Sequence, residues 1–415
     1  MLAATSTMLA STHRFYHAAV PAPWTITARD PGSRARAGVL STAHGEVRTP
    51  AFVPLATKAT VRGLLPGEVA ALGYDMVLGN TYHLFLDPGH ERIARFGGLH
   101  EFMGWRGPIV TDSGGFQVFS MGHGTVADEI KGRSPHGRQR MGAILAIEEA
   151  GVSFRSYLDG SRRFMAPETS MEIQAALGSD LALVFDECTP LNVTREYTAR
   201  STERTHRWLR RCLDWHADHG PEGQLVYGIV QGGVYPDLRV ESAEAIAASG
   251  CDGIAIGGSL GADKAQMHEV VGWTTAVLPE APPRHLLGIG DVDDLVRGVE
   301  LGIDTFDCAM PTRLGRHGVA LVPDPEHRWR MNLTAAKHRY SDEPIFEGCP
   351  CPTCAAGHTR GYLRYLVANR ELTGLRLLVV HNLAFIQRLM ARLRAAILAG
   401  TLAAEAAAIR AGSAP

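Results

Sequence analysis

Residues 226–258 read VYGIVQGGVYPDLRVESAEAIAASGCDGIAIGG, and the fold follows from how this stretch divides. Val226–Val230 is a short apolar run with β-branched and aromatic residues, the pattern of a strand buried on both faces. Gln231-Gly232-Gly233 ends it. Pro236-Asp237 then supplies a first-turn proline and an acid, and Leu238–Ala248 carries helical periodicity. Gly253–Ile256 is a second apolar run, closed by Gly257-Gly258. A strand, a helix and a strand in so short a span predict a parallel βαβ unit.

The unit recurs in both directions. Candidate strands are Phe52–Leu55, Met76–Leu78, Ile109–Thr111, Leu181–Phe185, Val226–Val230, Gly253–Ile256, Leu286–Ile289 and Thr305–Asp307. Pro167-Glu168 opens a helix over Met171–Leu177, and Asp291 precedes one over Val292–Leu301. Eight such alternations predict an α/β chain folded as a (β/α)8 TIM barrel over residues 24–320, with N-terminal β elements and insertions. A doubly wound sheet has the same alternation and stays open on pattern alone. Residues 150–166 read as a hairpin turning at Asp159-Gly160, and residues 122–142 as a Gly/Arg/His-rich loop without periodicity.

The 415 residues are 45% hydrophobic and 20% charged, a globular composition, and the net charge of −2 points to no polyanionic partner by itself. Local charge is less even. Seven arginines lie between Cys351 and Gly400 against the single acid Glu371, and Lys131, Arg133, Arg138 and Arg140 form a second basic cluster. Either could be a solvated face. No run approaches the ~18 apolar residues of a membrane span. His13 and Arg14 interrupt the place of a signal-peptide core, so residues 1–23 are expected to be a poorly ordered leader. Seven cysteines, an odd number with three in six residues, argue against disulfides and for a reducing cytoplasm.

Those three, Cys349, Cys351 and Cys354, are spaced C-x-C-x2-C, and His381 follows in Val379-Val380-His381-Asn382. Three thiolates and one imidazole make a closed tetrahedral zinc set with no open position for chemistry. Redox-active thiols are the other reading, and His358 the alternative fourth ligand, though its closeness to the cysteines strains a tetrahedron. Residues 321–400 are therefore expected to be a zinc-binding helical subdomain packed on the barrel, and 401–415 a C-terminal tail.

Each candidate strand ends in polar or glycine-bearing text: Asn80, Asp112-Ser113-Gly114-Gly115, Asp186-Glu187-Cys188, Gln231, Gly257-Gly258 and Asp307-Cys308. In a barrel these ends converge on one mouth, the place where barrel enzymes carry their chemistry. An aspartate after a strand is more often a helix cap or turn former; three of them at the same topological position favour a site.

With these pieces assembled, the chain closely resembles the tRNA-guanine transglycosylases of the bacterial queuosine pathway from about Trp24 to about Ala395. The carriers are Thr111–Ser120 (TDSGGFQVFS), Phe185–Pro190 (FDECTP), Gly228–Gly233 (GIVQGG), Gly302–Arg316 (GIDTFDCAMPTRLGR) and the Cys349/Cys351/Cys354/His381 set. The resemblance implies a zinc-containing (β/α)8 barrel, usually a homodimer. Its reaction replaces guanine at the wobble position of tRNAs with GUN anticodons by 7-aminomethyl-7-deazaguanine. Carried over by motif, the nucleophile falls on Asp307 and the general acid/base on Asp112. Base recognition falls on Asp186, Gln231 and the Gly258 backbone, with Asn80 holding Asp112 and Phe116 and Leu287 sandwiching the base. Arg313 and Arg316 match arginines near the RNA backbone.

The chemistry explains why these residue types are needed. A carboxylate attacks the anomeric carbon, expels one base and holds the ribose covalently while another enters, and two inversions preserve configuration. A second carboxylate serves as acid and then as base. One loop departs from the family: bacterial members read Gly-Gly-Leu-Ala-Val-Gly-Glu where this chain has Gly257-Gly258-Ser259-Leu260-Gly261-Ala262-Asp263. The Ser259 carbonyl is the expected acceptor for the aminomethyl group. Glycine at 261 is expected to open room beside the base, which raises the bulkier base queuine as the alternative substrate. A barrel glycosidase explains Asp112 and Asp307 but not the cysteines or Gln231, and a non-catalytic tRNA-binding subunit does not explain two retained aspartates.

Overall fold

The candidate strands lie side by side in the computed structural model, which describes residues 23–123 and 144–415. Among the described residues one parallel sheet has the order Ala51–Pro54, Thr305–Cys308, Arg284–Leu286, Gly253–Ile256, Leu225–Val230, Leu181–Leu183, Ile109–Thr111, Val77–Gly79. Leu55 and Leu78 form a parallel bridge, and the Ala56 N–H donates to the Leu78 carbonyl at 2.7 Å, so the last strand returns to the first. Sequential strands are spatial neighbours all the way round. That is the (β/α)8 barrel, and it excludes the doubly wound sheet, in which strand order reverses at a switch point.

Local chemistry starts the helices where the sequence marks them. Proline occupies the first turn of Pro167–Leu177 and of Pro236–Ala247, where its missing N–H costs nothing. Thr194 caps Arg195–His219 through the Tyr197 N–H, and Asp263 caps Lys264–Val277 through the Gln266 N–H. One strand moves. The run at Leu286–Ile289 pairs earlier, as Arg284–Leu286, because Gly288 (φ +76°) turns its N–H out of the ladder toward Asp307.

The inserted hairpin pairs Gly151–Arg155 with Arg162–Met165 and joins Ile144–Glu148 in a three-stranded sheet. From residue 124 the expected 122–142 loop lies outside the described residues, as does the expected leader up to residue 22. At the C terminus Leu372–Ala399 lies against Met310–Arg316. Asn382 joins the two regions, accepting from the Leu321 N–H at 2.8 Å and donating to the Pro311 and Val319 carbonyls at 3.0 Å each. Residues 401–415, expected as a tail, include the helix Leu402–Arg410, because Leu402, Ala406 and Ile409 recur at helical spacing and are buried. Among the described residues no helix is long and apolar enough to cross a membrane.

A three-stranded antiparallel sheet (Trp24–Arg29, Arg36–Thr42, Gly45–Thr49) is anchored to the opposite end of the barrel from the mouth, and the ion pair between Arg36 and Asp304 is its most buried tie among the described residues. Arg36 forks onto Asp304 at 2.9 and 2.6 Å, and the same carboxylate accepts the Arg284 N–H at 2.7 Å. Both side chains are buried, Asp304 completely. Breaking such a pair strands a buried charge. Asp304→Asn is therefore expected to lower unfolding free energy by about 3–5 kcal/mol, read from chemical denaturation, since Arg36 loses its counter-charge.

Candidate active site

The polar residues that end the strands meet at the mouth. Asp307 lies on Thr305–Cys308 in register with Val53, buried at 7% exposure. Its Oδ1 accepts the Gly288 N–H at 3.1 Å and faces His285 Nε2 at 3.1 Å. Asp112 follows strand Ile109–Thr111. The Thr81 N–H donates to its Oδ1 at 2.9 Å, and Asn80 Nδ2 donates to its Oδ2. Asn80 also caps the helix Thr81–Leu86, its Oδ1 accepting the His83 N–H at 3.0 Å, so the turn-forming and carboxylate-holding readings of this residue are both true. Burial pushes the Asp112 carboxyl up to about 7 against the Thr81 N–H, and the charge of Asp307 adds to the rise.

Asp186 is buried after strand Leu181–Leu183 and does not cap a helix. Ser113 Oγ donates to its Oδ1 at 2.8 Å and Gln231 Nε2 to its Oδ2 at 2.6 Å; burial still pushes it up to about 6. Gly115, which begins the helix carrying Phe116, sits so close that a Cβ there would lie 2.7 Å from the Asp186 carbonyl oxygen. Leu287 reaches the same neighbourhood, since its Cδ1 and Gln231 Nε2 would each lie 3.3 Å from a Cβ on Gly257. The Gln231 Oε1 is buried without a partner among the described residues, an acceptor beside Asp186.

Several residues of this constellation were not legible as site residues. Ser113 lies inside the Asp-Ser-Gly-Gly motif, and His285 sits opposite Thr305 in the parallel register, which a strand reading alone does not supply. Arg239 is a fully buried guanidinium that donates to the carbonyls of Gly233 (2.7 Å), Val230 (3.1 Å), Gly257 (2.9 Å) and Ser259 (3.2 Å), tying two strand ends together. The Ser259 carbonyl is therefore already engaged by a cation. Gly261 does not open a void: its φ is +138°, and a Cβ would lie 2.9 Å from Gln266 Cβ and Cγ. Gln266 fills that space while its Oε1 accepts the Ala262 N–H at 2.9 Å.

Arg313 and Arg316 lie half-exposed on the helix Met310–Arg316, away from the carboxylate cluster's hydrogen bonds. Arg316 is held below the ordinary arginine range by burial and by the charges of Arg62 and Arg313. Among the described residues neither Arg62 nor Arg313 is in an ion pair, so like charges gather there without an acid. The arginines after Cys351 behave differently. Arg360 pairs with Glu343, Arg376 with Glu68 and Arg392 with Glu405, while Arg388 and Arg394 donate to the Pro415 and Pro50 carbonyls.

Cys349, Cys351, Cys354 and His381 come together with Sγ to Nδ1 separations of 3.8, 3.2 and 3.6 Å. A tetrahedral ion holding thiolates at about 2.3 Å and imidazole at about 2.0 Å sets neighbouring donors about 3.5 Å apart, so the cluster fits a metal. His381 Nε2 donates to the Leu321 carbonyl at 2.7 Å, which leaves Nδ1 as the ligating nitrogen. Arg388 lies 3.8 Å from the Cys349 sulfur, a cation beside a thiolate-rich site. Cys351→Ser is expected to lose one metal equivalent per chain by elemental analysis and to lower Tm by about 5–10 °C, because a structural ion's binding energy is folding energy.

Comparison with known proteins agrees with this arrangement. The profile of the family described as Queuine tRNA-ribosyltransferase matches residues 30–413. A protein of that name from Roseiflexus sp. (strain RS-1) is 51% identical over 387 residues, covering 91% of this chain and 96% of its own. Proteins of the same name from Pelotomaculum thermopropionicum and Symbiobacterium thermophilum are each 46% identical, over 91% and 92% of this chain and 95% and 88% of theirs. A match across nearly the whole described chain, at such identities and over a barrel with these carboxylates at its mouth, means that the chain belongs to the queuine tRNA-ribosyltransferase family.

Proposed function

We propose that this enzyme exchanges the wobble guanine of tRNAs with GUN anticodons for 7-aminomethyl-7-deazaguanine, through a covalent intermediate between tRNA and Asp307. The observation that carries the reading is the pair of carboxylates at one mouth. Asp307 is buried and held at one oxygen, while Asp112 is pushed up to about 7 and so exists in both protonation states near neutrality. Asp307 attacks C1′ of the wobble nucleotide, and protonated Asp112 gives its proton to the departing guanine. The resulting carboxylate takes the proton from the incoming base, which displaces Asp307 and restores the original configuration.

Asp186 and Gln231 read the Watson–Crick edge of the base, with the Gly258 N–H as a further donor, and Phe116 and Leu287 cover its faces. A purine in an anticodon loop is single-stranded and reaches the mouth by leaving the stack. Arg313 and Arg316, beside Arg62, are the surface that meets the phosphates. Cys349, Cys351, Cys354 and His381 would hold a zinc ion with all four positions filled by protein, and it would serve to clamp the long C-terminal helix in place. The active form is a homodimer in the cytoplasm.

The aminomethyl base is favoured over queuine because Gln266 occupies the room that Gly261 leaves. The Ser259 carbonyl offers its second lone pair to the ammonium, the first being taken by Arg239. Competition of the two bases for guanine-labelled tRNA is expected to incorporate the aminomethyl base preferentially. Exclusive use of queuine would reverse this choice.

Wild-type enzyme with cognate tRNA and no incoming base is expected to give a complex that survives denaturing electrophoresis, and Asp307→Asn none. A band persisting in that variant moves the nucleophile elsewhere. The rate of complex formation is expected to fall as pH rises through about 7, because the acid form of Asp112 is lost there. Asp112→Asn abolishes turnover at every pH.

A further inference from the structure

His285 lies on the buried strand Arg284–Leu286, opposite Thr305 on the strand that carries Asp307. The ring is 2% exposed. Its Nδ1 is 2.8 Å from Thr305 Oγ1 and its Nε2 3.1 Å from Asp307 Oδ1. An ionised carboxylate can only accept, so the hydrogen between them sits on Nε2. In the neutral ring Nδ1 is then an acceptor, and the Thr305 hydroxyl, which can act either way, donates to it. The Gly288 N–H donates to the same Oδ1 at 3.1 Å. Among the described residues no group bonds Oδ2.

We infer that His285 is a positioning residue that, together with the Gly288 N–H, clamps Oδ1 of Asp307 and thereby makes Oδ2 the attacking oxygen. This rests on Asp307 being the nucleophile. In the forward step Oδ2 forms a bond to C1′ of the wobble nucleotide and the C1′–N9 bond breaks. Its electron pair leaves with the purine, which takes the Asp112 proton. Oδ1 becomes the carbonyl oxygen of the ester, still held by the same two donors, so neither moves between the carboxylate and ester states. In the return step Asp112 removes the N9 proton of the incoming base, N9 attacks C1′, and the C1′–Oδ2 bond breaks.

The asymmetry matters because an unclamped carboxylate turns about its Cβ–Cγ bond, and misplacing a reacting atom by about 1 Å costs on the order of 100-fold in rate. The threonine completes the arrangement. With its hydroxyl on Nδ1, the ring is fixed in plane and in tautomer, which a hydrogen bond to Asp307 alone does not achieve. His285 touches no base or ribose in this arrangement, and acts through Asp307.

The test is single-turnover formation of the tRNA–enzyme complex on denaturing gels, with KM for tRNA and thermal melting measured alongside. His285→Leu, close in volume but without a donor, is expected to slow the step about 10- to 100-fold with KM and Tm near wild type. His285→Gln, whose amide can donate to Oδ1, is expected to recover most of that rate. Thr305→Val, which removes the hydroxyl that sets the tautomer, is expected to slow the same step. A wild-type rate in His285→Leu overturns the inference, as does a His285→Gln rate no faster than that of a well-folded His285→Leu. Where His285→Leu fails to fold, Thr305→Val decides, and a wild-type rate there overturns the inference. Absence of the complex in the wild-type enzyme overturns the nucleophile reading itself. It is told apart because the failure then precedes any substitution.

Discussion

A carboxylate buried at the mouth of a barrel must find its hydrogen-bond donors inside the protein, and three of them share this mouth. An unsatisfied buried charge costs several kcal/mol, so each aspartate brings a retinue. Asp112 draws on Asn80 and the Thr81 N–H, Asp186 on Ser113 and Gln231, and Asp307 on the Gly288 N–H and His285. These partners come from the ends of different strands. Only a closed barrel, in which successive strands are neighbours, brings them within reach of one another.

One strand shows how the same residue type is used in opposite ways at its two ends. Asp304, just before Thr305, is matched by a bidentate guanidinium, and both its oxygens are occupied. Asp307, three positions on, keeps one oxygen clamped and the other unbonded among the described residues. The first arrangement holds the N-terminal sheet to the barrel. The second leaves Oδ2 without a donor among the described residues. A fully paired carboxylate is stable and unreactive; reactivity requires leaving part of the pairing out.

Distribution of cations follows a related logic. Arginines after Cys351 look in sequence like one basic face, yet most reach acids or carbonyls of other segments and work as internal ties. Arg62, Arg313 and Arg316, none of them in an ion pair among the described residues, lie close enough that mutual repulsion is one cause of the lowered Arg316 value. Such a grouping is costly in the free protein, and a polyanion would relieve it, which is the role proposed above for this surface. His381 and Asn382, adjacent on one helix, anchor the C-terminal region in two ways. One faces the cysteine cluster and the other bonds backbone on either side of Gly315.

The sequence by itself determined the α/β alternation, because eight buried-type runs separated by helical stretches have few ways to bury both faces of their strands; that the sheet closes as a barrel and is not doubly wound was decided by strand order. It also determined which aspartates end the strands and that three cysteines lie close together, since spacing and residue type carry that information locally; that His381 and not His358 joins them was decided by the fold. Tertiary structure alone decided the partners. The link between His285 and Asp307 depends on the register of two strands, and periodicity is indifferent to register. Arg239 looked like one helix residue among others until burial put four carbonyls around it. Gly261 shows the limit most plainly: glycine in a sequence suggests space, but whether space exists depends on what packs against it, and here the side chain of Gln266, five residues on, already fills it.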